Sequence, residues 1–515
     1  MRPSPLLDAP GALAAGPAPA AGPGLASADP DVLVPAHYGD PLREQRLLAD
    51  GLAVSALARD VVAVTGADRL TWLTTLSSQQ LTGLTPGDGG AEALLLDAQG
   101  RIAHALAALD DGRTLLLVTE AGDGPALAAL LDRMRFMLRV EVGAREDLVA
   151  LGALGAGRER LRRAADGAGA LAGAWTDPWP GVVEGGTSYD VGLDSPHPGR
   201  AYAAGFVLVP ATRVVEVVRA FAAGGLANEE PPDGGPADEN AEDAADGPPD
   251  EDAASGPADE DAAGGPSAES AVENAAGGPA AESGGALTDV AEHDALAGAM
   301  AWEALRIEAG RPRRAREVDE RAIPHELDWL RTAVHLTKGC YPGQETVART
   351  LNLGRPPRRL TLLQLDGLAG GLPAPGDVVR LGERAVGAVT STARHHELGP
   401  IALALLRRGV PAEAALSVEV SEAASGPGET GAVSGADGVS GTGPVSGAGA
   451  AARTAGPDAV DAADGPAPGE RVVVGRVAAA QEVLVTPEGR AQASPAERPG
   501  AGLRTSLLHR RDGGR

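Results

Sequence analysis

The sequence is short of aromatic residues, cysteine and long apolar runs. Aromatic residues make up only 2% of its 515 positions, and much of the 43% apolar content is alanine, which buries little area. A single cysteine excludes an internal disulfide framework and fits a reducing cytoplasm. One thiolate also falls short of the about four ligands that a structural zinc or an iron–sulfur cluster requires. No run approaches about 18 apolar residues, so we expect no transmembrane helix and a cytoplasmic protein.

The acidic residues are concentrated in one low-complexity segment. Residues 229–289 contain 18 Asp and Glu and no Lys or Arg, so the rest of the chain carries only −9 of the net charge of −27. This balance argues against a nucleic-acid-binding protein. With almost no large apolar residues, the segment cannot offset the entropy of ordering, and we expect a disordered insertion at 226–290. Similar compositions predict a disordered N-terminal tail at 1–35, without a signal peptide, a second insertion at 421–470 and a C-terminal tail at 486–515.

Between these segments, short strands alternate with helices, and several strands form hairpins. The pattern predicts strands at 52–58, 60–65, 92–97, 101–109, 113–119 and 138–142, and a helix at 124–134. A second, similar unit begins at 147–154, so an α+β fold is favoured over a doubly wound parallel sheet. Short runs separated by Gly and Pro predict a small β-barrel with strands at 360–365, 377–381, 385–391, 399–406, 416–420 and 471–485. We therefore predict an α+β core formed by 36–225 and 291–355, followed by a barrel at 356–485.

The only cysteine lies in the stretch Lys338-Gly339-Cys340-Tyr341-Pro342-Gly343-Gln344-Glu345. Pro342-Gly343 suits the two central positions of a type II turn, because proline presets φ and glycine supplies a positive φ. Residues 344–350 have the pattern of a helix start, in which Glu345 and Arg349 are four apart and can pair. Gln344 and Glu345 are expected to orient the loop. The prediction is a tight loop that holds a thiol and an ammonium beside a helix N-terminus, where anions bind readily.

Cys340 has two interpretations. A lone cysteine in an intracellular protein is most often a small buried hydrophobic residue. Its polar and turn-forming neighbours favour an exposed, shaped loop, where binding residues tend to lie. We therefore predict Cys340 as the reactive group, with Lys338 lowering the pKa of its thiol. Gly339 and Gly343 would allow a close backbone turn, and Tyr341 could pack on an aromatic ring.

The motif K-G-C-Y-x-G-Q-E resembles that of the folate-binding YgfZ family, whose members are related to the glycine-cleavage T-protein, an aminomethyltransferase. Four further stretches are similar to recurring segments of that group, in the same order: Leu81-Thr82-Gly83-Leu84, 96–102, 306–310 and 387–391. The resemblance covers 36–225, 294–420 and 471–485. It implies two intertwined α+β (ferredoxin-like) units that form a folate-binding core, and a C-terminal β-barrel.

Two departures separate this chain from the T-protein. Where the T-protein has a catalytic aspartate, this chain has Gly100-Arg101-Ile102-Ala103-His104. Where the T-protein has a folate-binding glutamate, it has Tyr202-Ala203-Ala204-Gly205-Phe206. Aminomethyl transfer needs a group that manages protons on the folate and on the leaving amine. The T-protein also lacks the cysteine motif, so the YgfZ side of the group is favoured.

The resemblance implies a monomer that binds tetrahydrofolate or another reduced folate and supports assembly or repair of iron–sulfur clusters in client proteins. The folate-binding residues that it implies are Lys338, Gly339, Tyr341, Gly343, Gln344, Glu345, Arg349 and His104, with Cys340 and Lys338 as the catalytic pair. Two alternatives stay open: an aminomethyltransferase of the T-protein type, and a non-catalytic interaction protein that binds through its acidic insertion.

Three other polar groups have ordinary structural explanations. The adjacent His395-His396-Glu397 lacks the helical spacing of paired metal ligands, and we predict no metal site. His104 could donate to a folate carbonyl or be a structural histidine. Arg311, Arg313, Arg314 and Arg316 could meet a folate glutamate tail or RNA phosphates, but a solvated basic loop is the expectation.

Overall fold

The computed structural model describes residues 3–15, 29–192, 196–226, 287, 290–367, 371–423 and 471–496. The strands, numbered in chain order within these ranges, are β1 Leu13–Ala14, β2 Pro35–His37, β3 Val54–Leu57, β4 Arg59–Thr65, β5 Ala91–Leu96, β6 Ile102–Asp110, β7 Thr114–Glu120, β8 Glu141–Ala144, β9 Leu148–Leu154, β10 Gly173–Thr176, β11 Ala204–Pro210, β12 Leu296–Ala297, β13 Arg358–Leu365, β14 Val378–Leu381, β15 Arg384–His395, β16 Gly399–Arg407, β17 Leu416–Ala423 and β18 Arg471–Val483. The α-helices are α1 Pro41–Ala49, α2 Arg69–Leu76, α3 Gly124–Met134, α4 Gly157–Gly167, α5 Val214–Leu226, α6 Val290–Asp294, α7 Ala299–Glu308, α8 Arg314–Glu317 and α9 Gln344–Asn352. Short 3-10 helices occur at Pro5–Asp8, Pro30–Leu33, Pro198–Ala201, Ala211–Arg213 and Pro324–Leu327.

One antiparallel sheet has the order β5-β6-β7-β4-β8. Its outer face packs beneath α2 and α3, where Leu73 and Leu127 meet Val62, Leu106 and Leu117. Alternate residues of these strands point to the opposite face, as the two-residue period of a strand requires. The sheet is therefore apolar on both faces, and its inner face joins the central core of the protein.

A second sheet has the order β10-β11-β9-β3-β12, with only the β12–β3 pair parallel among its described strands. Its strand β3 precedes the first sheet in the chain, whereas β9 to β12 follow it. The two units are consequently intertwined, as predicted. α4 and α5 cover the outer face of this sheet, where Leu161 and Phe221 pack on Val207 and Val209.

The C-terminal part is a closed barrel with the order β13-β16-β15-β14-β17-β18 in the described residues. Its interior is lined by small and branched apolar residues, among them Leu363, Val379, Val389, Leu406 and Val418. The predicted fold class, two α+β units and a barrel, is therefore confirmed.

The central core lies where the two sheets, the barrel and α9 meet. Leu94 of the first sheet and Phe206 of the second share one buried cluster with Leu362 of the barrel and Val347 of α9. This cluster also contains Tyr341 of the cysteine motif. Tyr341 thus belongs to a buried cluster to which all three parts of the fold contribute.

Both terminal predictions need correction for the residues that the structure describes, while 1–2, 16–28 and 497–515 lie outside them. In the expected N-terminal tail, Leu6 is fully buried against the α5 side of the second sheet, and Asp31 forms an ion pair with Arg313. These contacts with distant parts of the chain are not visible in the local composition. At the other end, order continues beyond 485 to 496, because Gln492 donates its backbone N–H to Ser188 and Ala491 is buried. Nearly all of the two predicted insertions lies outside the described residues.

Strand β8 starts three residues later than predicted. Residues 135–138 form a turn in which Phe136 has a φ of 41°, an unusual value for a bulky residue. No helix within the described ranges has the length and apolar character needed to cross a membrane.

Candidate functional site

The cysteine motif forms the predicted turn and helix start. Gly343 has φ 80° and ψ −6°, the values of the third residue of a type II turn. The Gln344 backbone N–H donates to the Tyr341 carbonyl at 3.3 Å and closes this turn. α9 begins at Gln344, directly after it. The Gln344 side chain donates to the Lys338 carbonyl at 3.4 Å and so links the start of α9 to the loop.

Gly343 lies in close contact with the turn between β5 and β6. A Cβ atom at Gly343 would come 2.7 Å from the Asp97 carbonyl oxygen and 2.9 Å from the Gly100 Cα. Gly100 has a positive φ itself, and a Cβ there would meet Thr346 of α9 at 2.9 Å. These two glycines let the motif turn and the β5–β6 turn meet backbone to backbone. Gly339 differs, because a Cβ there would meet nothing within 4 Å.

Gly343→Ala is therefore expected to lower the free energy of unfolding by at least about 2 kcal/mol, because it combines a strained φ with a backbone clash. Gly339→Ala is the matched control and should change stability by less than about 0.5 kcal/mol. Urea unfolding of both variants measures the difference. Equal stability of the two variants would contradict the close approach at Gly343.

Lys338 points into the protein. Its ammonium donates to the carbonyl oxygens of Thr74 and Ser77, the latter at 2.6 Å, and lies 4.6 Å from the centre of the Tyr341 ring. Thr74 and Ser77 end α2, where a cation is favoured by the helix dipole. Burial lowers the pKa of Lys338 to about 8, and the nearby Cys340 opposes this shift in part. In this structure Lys338 anchors the motif to the first α+β unit.

Cys340 is exposed at the surface of this anchored loop. The alternative interpretation of Cys340 as a small buried hydrophobic residue is therefore wrong. Tyr341, beside it, is buried in the central core. Two further backbone bonds hold the loop, from His335 to the Ser78 carbonyl and from Leu336 to the Gly185 carbonyl. A thiol is thus presented to solvent by a backbone that is fixed on both sides.

Glu345 and Arg349 do not pair. Both side chains are exposed on α9, and they form no ion pair within the described residues. The expected acid-first pair at this spacing is therefore not observed. Both groups remain accessible to a ligand.

His104 is not brought next to the motif. Its Nδ1 lies 2.8 Å from a carboxylate oxygen of Asp123, which also accepts a hydrogen bond from Thr119. Arg314 approaches the other oxygen of Asp123 at 3.2 Å. His104 shares its side of β6 with Leu106, which packs in the outer core beneath α2 and α3. Its hydrogen bonds and ion pairs in the described chain involve no motif residue.

The comparisons with known proteins give partial similarities. No family model matches the chain. A chloroplastic protein of Arabidopsis thaliana, named a putative transferase, is 37% identical over 94 residues. This match covers 18% of the present chain and only about a fifth, 21%, of the relative's length.

Two solved structures are also similar. The glycine cleavage system aminomethyltransferase T from Bartonella henselae has a TM-score of 0.47 at 15% identity, covering 75% of this chain and 87% of that one. A chain of the heterotetrameric sarcosine oxidase from Corynebacterium sp. U-96, in complex with pyrrole 2-carboxylate, has a TM-score of 0.20 at 15% identity. That match covers 34% of this chain and 88% of the other.

Arg311, Arg313 and Arg316 of the basic cluster before the motif belong to a buried ion-pair network, and Arg314 pairs with Asp123, so the expected solvated loop is wrong. Four arginines and their carboxylate partners form this arginine network: Arg306 with Glu303 and Glu317, Arg311 with Glu92 and Asp177, Arg313 with Asp31, Glu120 and Glu303, and Arg316 with Asp29 and Asp31. The partners come from the N-terminal segment and both α+β units. Ser391 of the barrel also accepts a hydrogen bond from Arg306 at 2.8 Å. Buried charges must be paired, so these arginines are unavailable to an external anion.

A separate arginine-lined cavity lies at the far end of α9. Its volume is about 460 Å³, and Arg355, Arg408 and Arg490 line it together with the last residues of α9. Small-molecule sites commonly fall in the range of about 300–1,000 Å³. No group of three or more His, Cys, Asp or Glu in the described part of the chain is arranged to hold a metal ion.

Proposed function

We propose that this chain is a reduced-folate-binding protein, similar to the YgfZ family, that supports assembly or repair of iron–sulfur clusters in client enzymes through Cys340. The observation that carries this proposal is the exposed thiol on a loop fixed by Gly343, Lys338 and Tyr341. A thiol at the surface has no packing role, and a rigid loop gives it one defined position.

The chemistry follows from the number of thiolates. A thiolate is both a nucleophile and an iron ligand, but one thiolate cannot hold a cluster that requires about four ligands. Cys340 would therefore act on a cluster whose remaining ligands belong to a client protein. In this role the cluster is the cargo of the reaction.

The cavity beside α9 fits part of a reduced folate. Its three arginines suit the carboxylates of a glutamate tail, since guanidinium groups bind carboxylates in a bidentate manner. Arg349, exposed on the same helix, could contribute a further cation. The nine residues of α9 separate this cavity from the motif turn by about 14 Å along the helix axis. The resemblance implies Lys338 and Tyr341 as folate ligands. In this proposal they would instead fix the loop, through the bonds of Lys338 to α2 and the burial of Tyr341 in the core.

The test separates folate binding from the role of the thiol. Calorimetric titration with tetrahydrofolate should give micromolar or tighter binding that weakens at least about tenfold when Arg355 and Arg490 are both replaced by alanine. Cys340→Ala should bind folate normally, yet fail to restore iron–sulfur enzyme activity in cells that lack the native gene. Gly339→Ala, a neighbouring change without steric cost, is the control that should restore it.

Each half of the proposal can fail by itself. Full activity with Cys340→Ala would exclude the thiol role, whatever the folate result. Absence of tetrahydrofolate binding by the folded wild type would exclude the cofactor. The Lys338→Ala variant, by contrast, should mainly lose stability, because its ammonium contacts protein carbonyls.

An aminomethyltransferase activity is the second candidate, and the pair His104–Asp123 favours it. His104 lies in the stretch in which the T-protein has its catalytic aspartate, and an imidazole held by a carboxylate, here Asp123, can transfer protons. The name of the chloroplastic relative, a putative transferase, agrees with a transferase activity. A glycine-cleavage assay with lipoylated partner protein decides it: turnover that His104→Gln abolishes would favour the transferase over the cluster-repair role.

A further inference from the structure

A segment of three exposed apolar residues projects from the first α+β unit. Phe136 is 89% exposed, Met137 97% and Leu138 39%. We call residues 136–138 the apolar wedge. The entire chain has only three Phe and four Met, and one of each is exposed to solvent in this segment. Aromatic residues and Met are enriched at protein interfaces, and the left-handed φ of Phe136 is typical of backbone strain retained at functional sites.

The wedge leads into a strand with a free edge. β8 is the last strand of its sheet and pairs only with β4 among the described strands. Gly143 lies opposite Ala63, and the Arg145 N–H donates to the Val61 carbonyl, which places the backbone groups of Gly143 and Arg145 toward β4. The N–H and C=O groups of Val142 and Ala144 consequently point away from the sheet. Such an edge is a template for pairing with another strand.

An apolar groove lies at the other end of β8. Its volume is about 240 Å³, and its lining includes Val61, Leu148, Val149 and Ala150. Arg145 and Glu146, which directly follow β8, contribute to its lining as well. β8 therefore has the apolar wedge before its first residue and the apolar groove after its last one.

We propose that β8 is the centre of a two-fold interface between two copies of this chain. Antiparallel pairing of β8 with β8 of a second copy brings the wedge of each copy to the groove end of the other. This arrangement uses the free edge, the wedge and the groove at once, and it replaces the monomer expected from the sequence.

The charges along β8 specify one register. With Gly143 opposite Gly143 of the second copy, the outward-pointing Val142 and Ala144 face each other and can exchange backbone hydrogen bonds. Glu141 then lies opposite Arg145 of the second copy, whose guanidinium bonds Asp147 of its own chain, so the contact between copies adds a second carboxylate to an existing ion pair. Gly143 suits the closest point of this contact, because a non-hydrogen-bonded pair has the shorter Cα–Cα distance, about 4.5 Å, and glycine adds no side chain there.

The same charges favour a second copy over a membrane surface. Arg135 pairs with Asp132, and Arg139 pairs with Asp68, so the arginines around the wedge are largely neutralised. An anionic membrane attracts segments with an excess of basic residues. A patch that carries both signs in two-fold arrangement is instead complementary to itself.

Sedimentation velocity of the full chain with charge-reversed variants gives the sharpest test. The wild type should sediment as a dimer at about 100 µM, and Glu141→Arg and Arg145→Glu should each sediment as monomers because they place like charges opposite each other. An equimolar mixture of these two variants should form dimers again, since every Arg then faces a Glu. Misfolded variants would not recover on mixing. A monomeric wild type, or a mixture that stays monomeric, overturns the proposal.

The wedge is tested separately with a matched apolar control. The double variant Phe136→Ser/Met137→Ser should raise the dimer dissociation constant at least about tenfold. Val473→Ser/Val474→Ser removes two other exposed apolar residues, on the barrel strand β18, and should leave it unchanged. Wild-type protein that is monomeric and floats with phosphatidylserine vesicles, with flotation lost in the wedge variant, would assign the wedge to a membrane and overturn the dimer.

Discussion

Replacing Arg313 by methionine is expected to lower the free energy of unfolding by about 3–5 kcal/mol. The Arg313 guanidinium is buried and donates to carboxylate oxygens of Asp31, Glu120 and Glu303 over distances of 2.7 to 3.1 Å. Burial raises the pKa of Glu120, but Arg313 and Arg59 outweigh this effect and hold it below its usual range. Without Arg313, three buried carboxylates lose a shared cation and repel one another more strongly.

An exposed ion pair is the control for this prediction. Arg162 bonds Glu159 on the surface of α4 with distances similar to those of Arg313, but both side chains are about half exposed. Arg162→Ala should therefore cost less than about 1 kcal/mol. Urea unfolding monitored by circular dichroism compares the two variants at the same pH and salt concentration. A loss below about 1 kcal/mol for Arg313→Met would mean that the network does not hold the N-terminal segment to the core.

The fold was predictable where the signal is local. The barrel strands are bounded by Gly and Pro, and the helix at 124–134 has a regular apolar period, so both appear where the sequence places them. The described residues of the N-terminal tail were mispredicted because their contacts are with distant partners. Leu6 packs on α5, and Asp31 pairs with an arginine 282 positions later. Composition within a window cannot reveal either contact.

The site residues also divide into those with a local sequence signal and those whose role depends on distant contacts. Gly343 was predictable because Pro-Gly determines a turn by its own φ preferences. The role of Lys338 was not, because its carbonyl partners, Thr74 and Ser77, lie more than two hundred positions earlier. The arginine network was hidden for the same reason, since its acids are scattered along the chain. The two-residue period of a strand places His104 on the same face of β6 as Leu106, but that this face is the outer one follows only from the packing of α2 and α3.

His325 is expected to make the region around α9 sensitive to acid. Its ring is fully buried, its Nε2–H donates to the Val347 carbonyl of α9 at 3.0 Å, and its Nδ1 has no partner in the described structure. Burial lowers the pKa of His325 to about 4, and the bond to Val347 opposes this only in part. Protonation would place a second donor, without an acceptor, in the apolar core. The unfolded chain, with a histidine pKa of about 6.5, therefore binds more protons than the folded one between pH 4 and 6.5.

The sign of the effect follows from this difference in proton binding. Stability falls as the pH drops below about 6.5, and His325 alone should contribute a loss of about 2 kcal/mol between pH 7.5 and pH 5. His325→Gln keeps a donor for Val347 but cannot be protonated, so its disadvantage against the wild type at pH 7.5 should shrink or reverse at pH 5. All other titrating groups are common to both proteins and cancel in the difference. An equal difference in unfolding free energy at both pH values would show that His325 titrates alike in the folded and unfolded chain. If the difference in unfolding free energy is smaller at pH 5, protonation of His325 weakens its contact with Val347. That contact holds α9, and with it the Cys340 loop, in place.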